Sequence, residues 1–316
     1  MSNSVRVAAI QHRSKLGRID ENISTVEPLI EAAAREGSEL VALPEMSISG
    51  YTLNNEMWRY SEPVDGSTER WLKKISQKHG IWCCVGLTQN IGLDFYNTYL
   101  VSNPRGEVVG RVQKKQTEFN IHKAGSLESH VVETSFGRIG IGICADTHMS
   151  FFPQYMREQE IALLLLPHAW PTIYKTSKLA TQNDINEQEQ RVKEYASFYA
   201  RMLGVPCVFT DQTGPIEGKK WPGITGRLMD INNMHYPGLT TIARPENVIC
   251  QMGDEEGYIV TDVPLEKSGG SEIPNYNGLV HPGSAVFRFI AYRIDVPLSK
   301  LRYKYSIGER KKLLQG

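Results

Sequence analysis

The chain has 316 residues, room for one large domain or two ordinary ones, and a 300-residue fold hides about three quarters of its unfolded surface. Lysine plus arginine total 35 and aspartate plus glutamate total 35, a balance that argues against a protein devoted to gripping a polyphosphate chain. With 41% apolar and 22% charged residues it does not read as disordered.

Strand-like and helix-like segments alternate along the chain. Residues 5–10 form a short apolar run containing Arg6, which prevents a signal-peptide core. Helical spacing follows over 21–35 (Ile23, Val26, Ile30, Ala33, Ala34), with Asp20 as the expected N-cap. Residues 40–43 read as a buried strand stopped by Pro44, and 71–79 as a helix closed by Gly80. Strands are expected at 81–88, 97–102 and 108–112, the last two joined by the turn Asn103-Pro104-Arg105-Gly106. A hairpin over 131–134 and 137–143, a helix near 153–159 and a strand at 163–166 come next. Residues 178–203 have one apolar face (Val192, Tyr195, Ala196, Tyr199, Met202) and read as a long helix. Strands at 206–210, 240–243 and 257–263 complete the pattern. Strands mixed with covering helices imply an α/β layered domain with mixed sheets.

Composition shifts after Pro264. Residues 267–271 are linker-like and the remainder has few strongly periodic segments, so the expected division is a domain over 1–263 and an arm over 264–316. The arm carries Arg302, Lys304, Arg310, Lys311 and Lys312 with Tyr303 and Tyr305 interleaved, and a subunit contact is favoured over nucleic acid or membrane binding. The longest apolar run, 161–166, is far short of the roughly 20 residues of a spanning helix. An odd count of five cysteines points to free thiols in a reducing, cytoplasmic setting. The histidines show no chelating spacing and Cys83-Cys84 is a poor chelate, so no metal is expected. Gly137, Gly140 and Gly142 are in the wrong order for a dinucleotide fingerprint.

Three polar residues stand where apolar strands end: Glu45 after 40–44, Lys114 after 108–112, and Cys144 after 139–143. The carboxyl ends of strands are where α/β folds place their sites, and a thiol, an acid and a lysine there could form one constellation. Taken singly each has a plainer reading. A strand-end cysteine is usually an inert buried residue, a glutamate after a strand is usually a wet loop residue, and Lys114 beside Lys115 could belong to a solvated face.

The surrounding words resolve this. Gly37-Ser38-Glu39-Leu40-Val41-Ala42-Leu43-Pro44-Glu45-Met46 with Gly50-Tyr51, then Gly110-Arg111-Val112-Gln113-Lys114, then Phe136-Gly137-Arg138-Ile139-Gly140-Ile141-Gly142-Ile143-Cys144-Ala145-Asp146 stand in order. Together with Val7-Ala8-Ala9-Ile10-Gln11, Tyr96-Asn97-Thr98 and Leu166-Pro167-His168-Ala169-Trp170, they resemble the nitrilase superfamily of carbon–nitrogen hydrolases across residues 5–263. The resemblance implies a four-layer αββα sandwich, a cofactor-free Glu–Lys–Cys site at Glu45, Lys114 and Cys144, and a second glutamate best matched by Glu118 ahead of Gly125. It places Tyr51, Ala145, His148, His168 and Trp170 at the substrate pocket, with a plain core role the alternative for Tyr51, Trp170 and the two histidines, and implies a homodimer or larger homo-oligomer. The chain departs from the family's pattern at Lys115-Gln116-Thr117 and from Thr147 to Gln154, positions that shape the pocket.

An unperturbed thiol is mostly protonated at neutral pH; Lys114 is expected to favour the thiolate, with Glu45 accepting the proton. The expected reaction is hydrolysis of a small amide or N-carbamoyl compound through a thioester, with ammonia released. Nitrile hydrolysis is the alternative; true nitrilases usually carry tryptophan and glutamate after the nucleophile where this chain has Ala145-Asp146. A catalytically silent binding protein of the same fold is the reading from another class.

Overall fold

The structure, a computed structural model, describes residues 4–118, 121–176, 180–228, 230–281 and 289–315. Its first half contains β1 (Ser4–Gln11), α1 (Ile19–Arg35), β2 (Leu40–Ala42), β3 (Glu62–Pro63), α2 (Ser67–His79), β4 (Trp82–Ile91), β5 (Asp94–Ser102) and β6 (Val108–Gln113). The second half contains β7 (Val131–Thr134), β8 (Gly137–Ile141), α3 (Phe151–Glu158), β9 (Leu163–Pro167), β10 (Thr172–Ile173), α4 (Gln182–Leu203), β11 (Cys207–Thr210), β12 (Thr213–Pro215) and β13 (Met234–Pro237). Three further strands follow, β14 (Thr241–Ala243), β15 (Val248–Gln251) and β16 (Gly257–Pro264).

Two sheets result. One runs β16-β1-β2-β4-β5-β6 with β3 beside β4, and the other runs β15-β14-β11-β9-β8-β7. Strand periodicity explains how they stack, because successive side chains point to opposite faces. In β1, Val5, Val7 and Ala9 face the second sheet, meeting Ile139, Ile141, Leu163, Leu165 and Val208. Ala8 and Ile10 point the other way, onto Val26, Ile30 and Ala33 of α1. The second sheet repeats the pattern, with Leu164 and Leu166 facing Val192, Tyr195, Ala196 and Tyr199 of α4. Strands buried on both faces read as continuous apolar runs, and the layers are helices, sheet, sheet, helices: the αββα sandwich. Among the described residues no helix is long and apolar enough to cross a membrane.

Several local expectations are corrected. Asp20 is not the N-cap of α1; it lies in the first turn, where its charge still suits the positive end of the helix dipole. The long helix begins at Gln182, not 178, because Thr181 and Asp184 form a capping box that fixes its start; residues 178 and 179 lie outside the described residues. Gly80 does close α2, at φ 64 in the left-handed region. The presumed linker is tied down: Ser268 N–H donates to Gly204 O (2.9 Å) and Ser271 N–H to Arg201 O (3.1 Å). Among the described residues the arm, read as weakly structured, holds the π-helical Phe289–Asp295 and the α-helices Val296–Tyr305 and Ile307–Gln315. Tyr303 Oη accepts from Phe95 N–H at 2.9 Å, and Arg310 pairs with Asp94.

One close approach positions the site directly. A Cβ on Gly86, in β4, would lie 2.4 Å from Met46 N and 2.9 Å from Pro44 O. Gly86→Ala is therefore expected to push the Glu45 segment off the sheet and destabilise the fold by about 1–3 kcal/mol, as overpacking does elsewhere. Urea unfolding would measure the shift.

Candidate active site

Glu45, Lys114, Cys144 and His168 each follow the end of a strand (β2, β6, β8 and β9), and the crossovers bring these ends to one edge of the sandwich. Glu45 is fully buried. Its Oε1 accepts from Asn97 Nδ2 at 2.6 Å and from Lys114 Nζ at 2.7 Å, while Oε2 accepts from Ala169 N–H at 3.0 Å. Its own carbonyl accepts from Gln212 Nε2 at 2.8 Å.

Lys114, only 1% exposed, is no part of a solvated face. Its ammonium spans Glu45 and both oxygens of Glu118, at 2.7 and 2.9 Å. Tyr51 Oη donates to Glu118 at 3.3 Å, and the Lys114 ammonium stands 5.9 Å from the Tyr51 ring centre. The backbone of Lys114 is pinned on both sides, donating to Asn97 O and accepting from Gly125 N–H, each at 2.9 Å.

Cys144 opens a tight turn over Cys144–His148 and sits at φ 41, in the left-handed region. A non-glycine residue held there costs on the order of 1–3 kcal/mol and persists only when its surroundings over-determine it. Thr147 supplies much of that restraint. Its Oγ1 donates to Cys144 O at 2.6 Å and meets Tyr195 Oη at 2.8 Å, and its carbonyl accepts from Tyr195 and Tyr199 of α4. Asp146 accepts from Gln116 N–H at 2.5 Å, tying the turn to the segment after Lys114.

The electrostatics correct one expectation. The Cys144 thiol is pushed well above its ordinary value by burial first and the Glu45 charge second, with Lys114 opposing them. Lys114 pulls the thiol down, as expected, but burial and the Glu45 charge outweigh it, so the resting group is a thiol. Glu45 itself is pushed up, by burial first, against the pull of Lys114. The resting pair is a protonated thiol beside a carboxylate made more basic by its surroundings.

Of the pocket residues expected from the sequence, Tyr51, Ala145 and Trp170 are buried around this edge. His148 packs edge-on against Trp170 at 4.4 Å. His168 is fully buried, with Nδ1 at 3.0 Å from Leu166 O and Nε2 at 3.2 Å from Thr147 Oγ1. The fold also brings together what spacing did not suggest: the Cys144 sulfur and one ring nitrogen each of His148 and His168 lie within 4.8 Å of one another. Asn97, Asp211 and Gln212 were missed. Asp211 and Gln212 follow β11 as Glu45 follows β2, so the strand-end signal was present, and Asp211 Oδ1 accepts from Trp170 N–H at 2.9 Å. Asn97 gave only the weaker hint of a polar side chain inside a buried strand.

Burial also holds histidines neutral. It pushes His12 down to about 4, and His122 and His168 down to about 3. Unfolded histidines take up protons below about 6.5 while these do not, so stability is fully present above that pH and is lost as pH falls towards 3–4. Each should cost about 1.4 kcal/mol per pH unit in that window, and urea midpoints at pH 7.0 and 5.5 would measure the loss.

Comparison with known proteins gives the family. The profile of the carbon-nitrogen hydrolase family matches residues 6–270. The chain belongs to the carbon–nitrogen hydrolase family. Within that family it is 29% identical to a nitrilase of Pyrococcus abyssi over 48% of this chain and 59% of the relative. It is 28% identical to an omega-amidase of Xenopus tropicalis over 78% of this chain and 84% of the relative. Some relatives are thus matched along little more than half their length. Among solved structures, a carbon-nitrogen hydrolase from Helicobacter pylori G27 superposes with a TM-score of 0.71 at 16% identity, covering 84% of this chain and 90% of that one. The amidase from Nesterenkonia sp. AN1, with the acetamide moiety of fluoroacetamide added covalently to its active-site cysteine, superposes at 0.64 with 17% identity, covering 84% and 91%. At those identities the likeness shows the carbon–nitrogen hydrolase fold.

Proposed function

We propose that this carbon–nitrogen hydrolase is a thiol amidase that cleaves a small amide or N-carbamoyl compound through a thioester on Cys144 and releases ammonia. The observation that carries the reading is the buried Glu45–Lys114–Glu118 network acting on the Cys144 thiol. Glu45 Oε1 is occupied by two donors and Oε2 by one, so Oε2 is the oxygen with capacity to take the thiol proton. Because burial disfavours a free thiolate, that proton leaves as the sulfur–carbon bond forms.

The oxyanion that develops is met by Lys114, once one of its two contacts with Glu118 gives way, and by the Ala145 N–H. A preorganised donor of this kind is worth on the order of 3–4 kcal/mol of barrier. Glu45 then protonates the departing nitrogen, the C–N bond breaks, and ammonia leaves a thioester. Water deprotonated by Glu45 attacks the thioester, and the acid departs as Cys144 recovers its proton. Glu118 positions Lys114, and Tyr51, Trp170 and His148 form the pocket wall.

The nitrile reading stays as the second, favoured by relatives such as the Pyrococcus abyssi nitrilase. A panel of primary amides, N-carbamoyl acids and nitriles, scored by ammonia release, tests both. Turnover of amides or N-carbamoyl acids with nitriles inert is the expected result; turnover of nitriles alone would overturn it. The reading takes residues 1–263 as the hydrolase unit and the arm, with Leu298, Leu301, Tyr305 and Ile307 exposed, as a contact for a second subunit.

A further inference from the structure

We propose that Cys144, His148 and His168 form a three-ligand site for a soft divalent cation of the Zn2+ class, and that its occupation switches the enzyme off. The ligand atoms, one sulfur and two imidazole nitrogens, lie within 4.8 Å of one another. Thiolate and imidazole are the donors that zinc prefers, at about 2.3 and 2.0–2.1 Å in tetrahedral geometry, which puts ligand atoms roughly 3.5 Å apart. The trio must therefore contract by about an ångström, and half-buried His148 can supply most of the movement.

His168 is already oriented for the task. Its Nδ1 faces the Leu166 carbonyl at 3.0 Å, and a carbonyl only accepts, so Nδ1 carries the hydrogen and Nε2 keeps the lone pair. Thr147 Oγ1, 3.2 Å from Nε2, donates its hydrogen to Cys144 O instead. An imidazole that donates through one nitrogen to a backbone carbonyl while the other binds metal is the usual outer-shell arrangement of zinc sites. Three protein ligands leave the fourth position to water.

Binding exchanges a proton for the metal. The S–H bond breaks, the sulfur–metal bond forms on the same electron pair, and the proton passes to solvent; no oxidant or reductant is involved. A sulfur whose electron pair is committed to the cation cannot attack a carbonyl. That inhibitory half rests on Cys144 being the nucleophile; the metal site itself does not.

The test uses the whole, chelator-washed protein titrated with Co2+ as a spectroscopic probe and with Zn2+. The expected result is one ion per chain, a thiolate-to-cobalt charge-transfer band with intense tetrahedral d–d bands, and loss of amide hydrolysis that a chelator reverses. Loss of an outer-shell partner alone costs roughly 10–100-fold in metal affinity, so His148→Gln should weaken binding at least about 100-fold. Cys144→Ser should remove the charge-transfer band, and Cys250→Ser, away from the trio, should leave it intact. A missing charge-transfer band, or one unchanged in His148→Gln or lost in Cys250→Ser, would overturn the site. A normal band with hydrolysis untouched by bound metal would instead overturn the role of Cys144 and the inhibition with it.

Discussion

Cys144→Ala is expected to abolish hydrolysis while leaving the fold intact. The sulfur supplies the only covalent step in the scheme, and deleting the nucleophile of a comparable catalytic unit costs on the order of 10^6-fold in kcat. Alanine removes one atom from a position whose backbone is set by its neighbours: Thr147 and its two tyrosine partners hold the φ of 41 whatever side chain stands there. The unfolding midpoint should move by little, and steady-state ammonia release should fall below detection. Full activity in a folded Cys144→Ala protein would dismiss the thioester route. The other cysteines offer no substitute. Cys83, Cys84 and Cys207 are buried in the core, with Cys83 pushed up to about 12 by burial, and Cys250 is half-buried in β15.

Glu45→Gln is expected to be the second most damaging change. Glutamine fills the same space and can still accept from Lys114 or Ala169, so the loss falls on proton transfer. A positioned general base contributes typically 10²–10⁴-fold, and kcat/KM should drop by about that factor. The pH profile carries the sharper signature. Burial raises Glu45, and a base acts only when deprotonated. Wild-type kcat/KM should therefore rise with pH along a limb lying above the ordinary carboxylate range. In Glu45→Gln that limb should vanish and leave a low, flatter profile. A retained limb in the variant would assign it to another group, such as Asp211, which burial also raises.

Much of this was legible because the fold writes its layers and its site in the same places. A strand such as β9 is apolar at every position since each face meets a different layer, and a polar residue after such a run stands out, as Glu45, Lys114 and Cys144 do. Asp211 carries the same mark after β11, but it lies in none of the segments that carry the family resemblance. The arm's helices were hidden for a different reason. Leu298, Leu301 and Ile307 point outward, so those segments lack the apolar stripe by which a packed helix is recognised. The resting state of Cys144 could not be read from a nearby lysine alone, because burial, which the sequence does not measure, outweighs that lysine. The approach of His148 and His168 to one sulfur was likewise beyond spacing rules, since separate strand ends and a turn create it.

The central claim is that Cys144 carries the acyl group. Acid-quenching the enzyme during turnover of a simple amide, followed by mass analysis of the intact protein and its peptides, tests this directly. The account predicts an acyl mass on the peptide containing Cys144, released by hydroxylamine and missing in Cys144→Ala. Full turnover with no acyl group on that peptide, or with the acyl group on another residue, would contradict it.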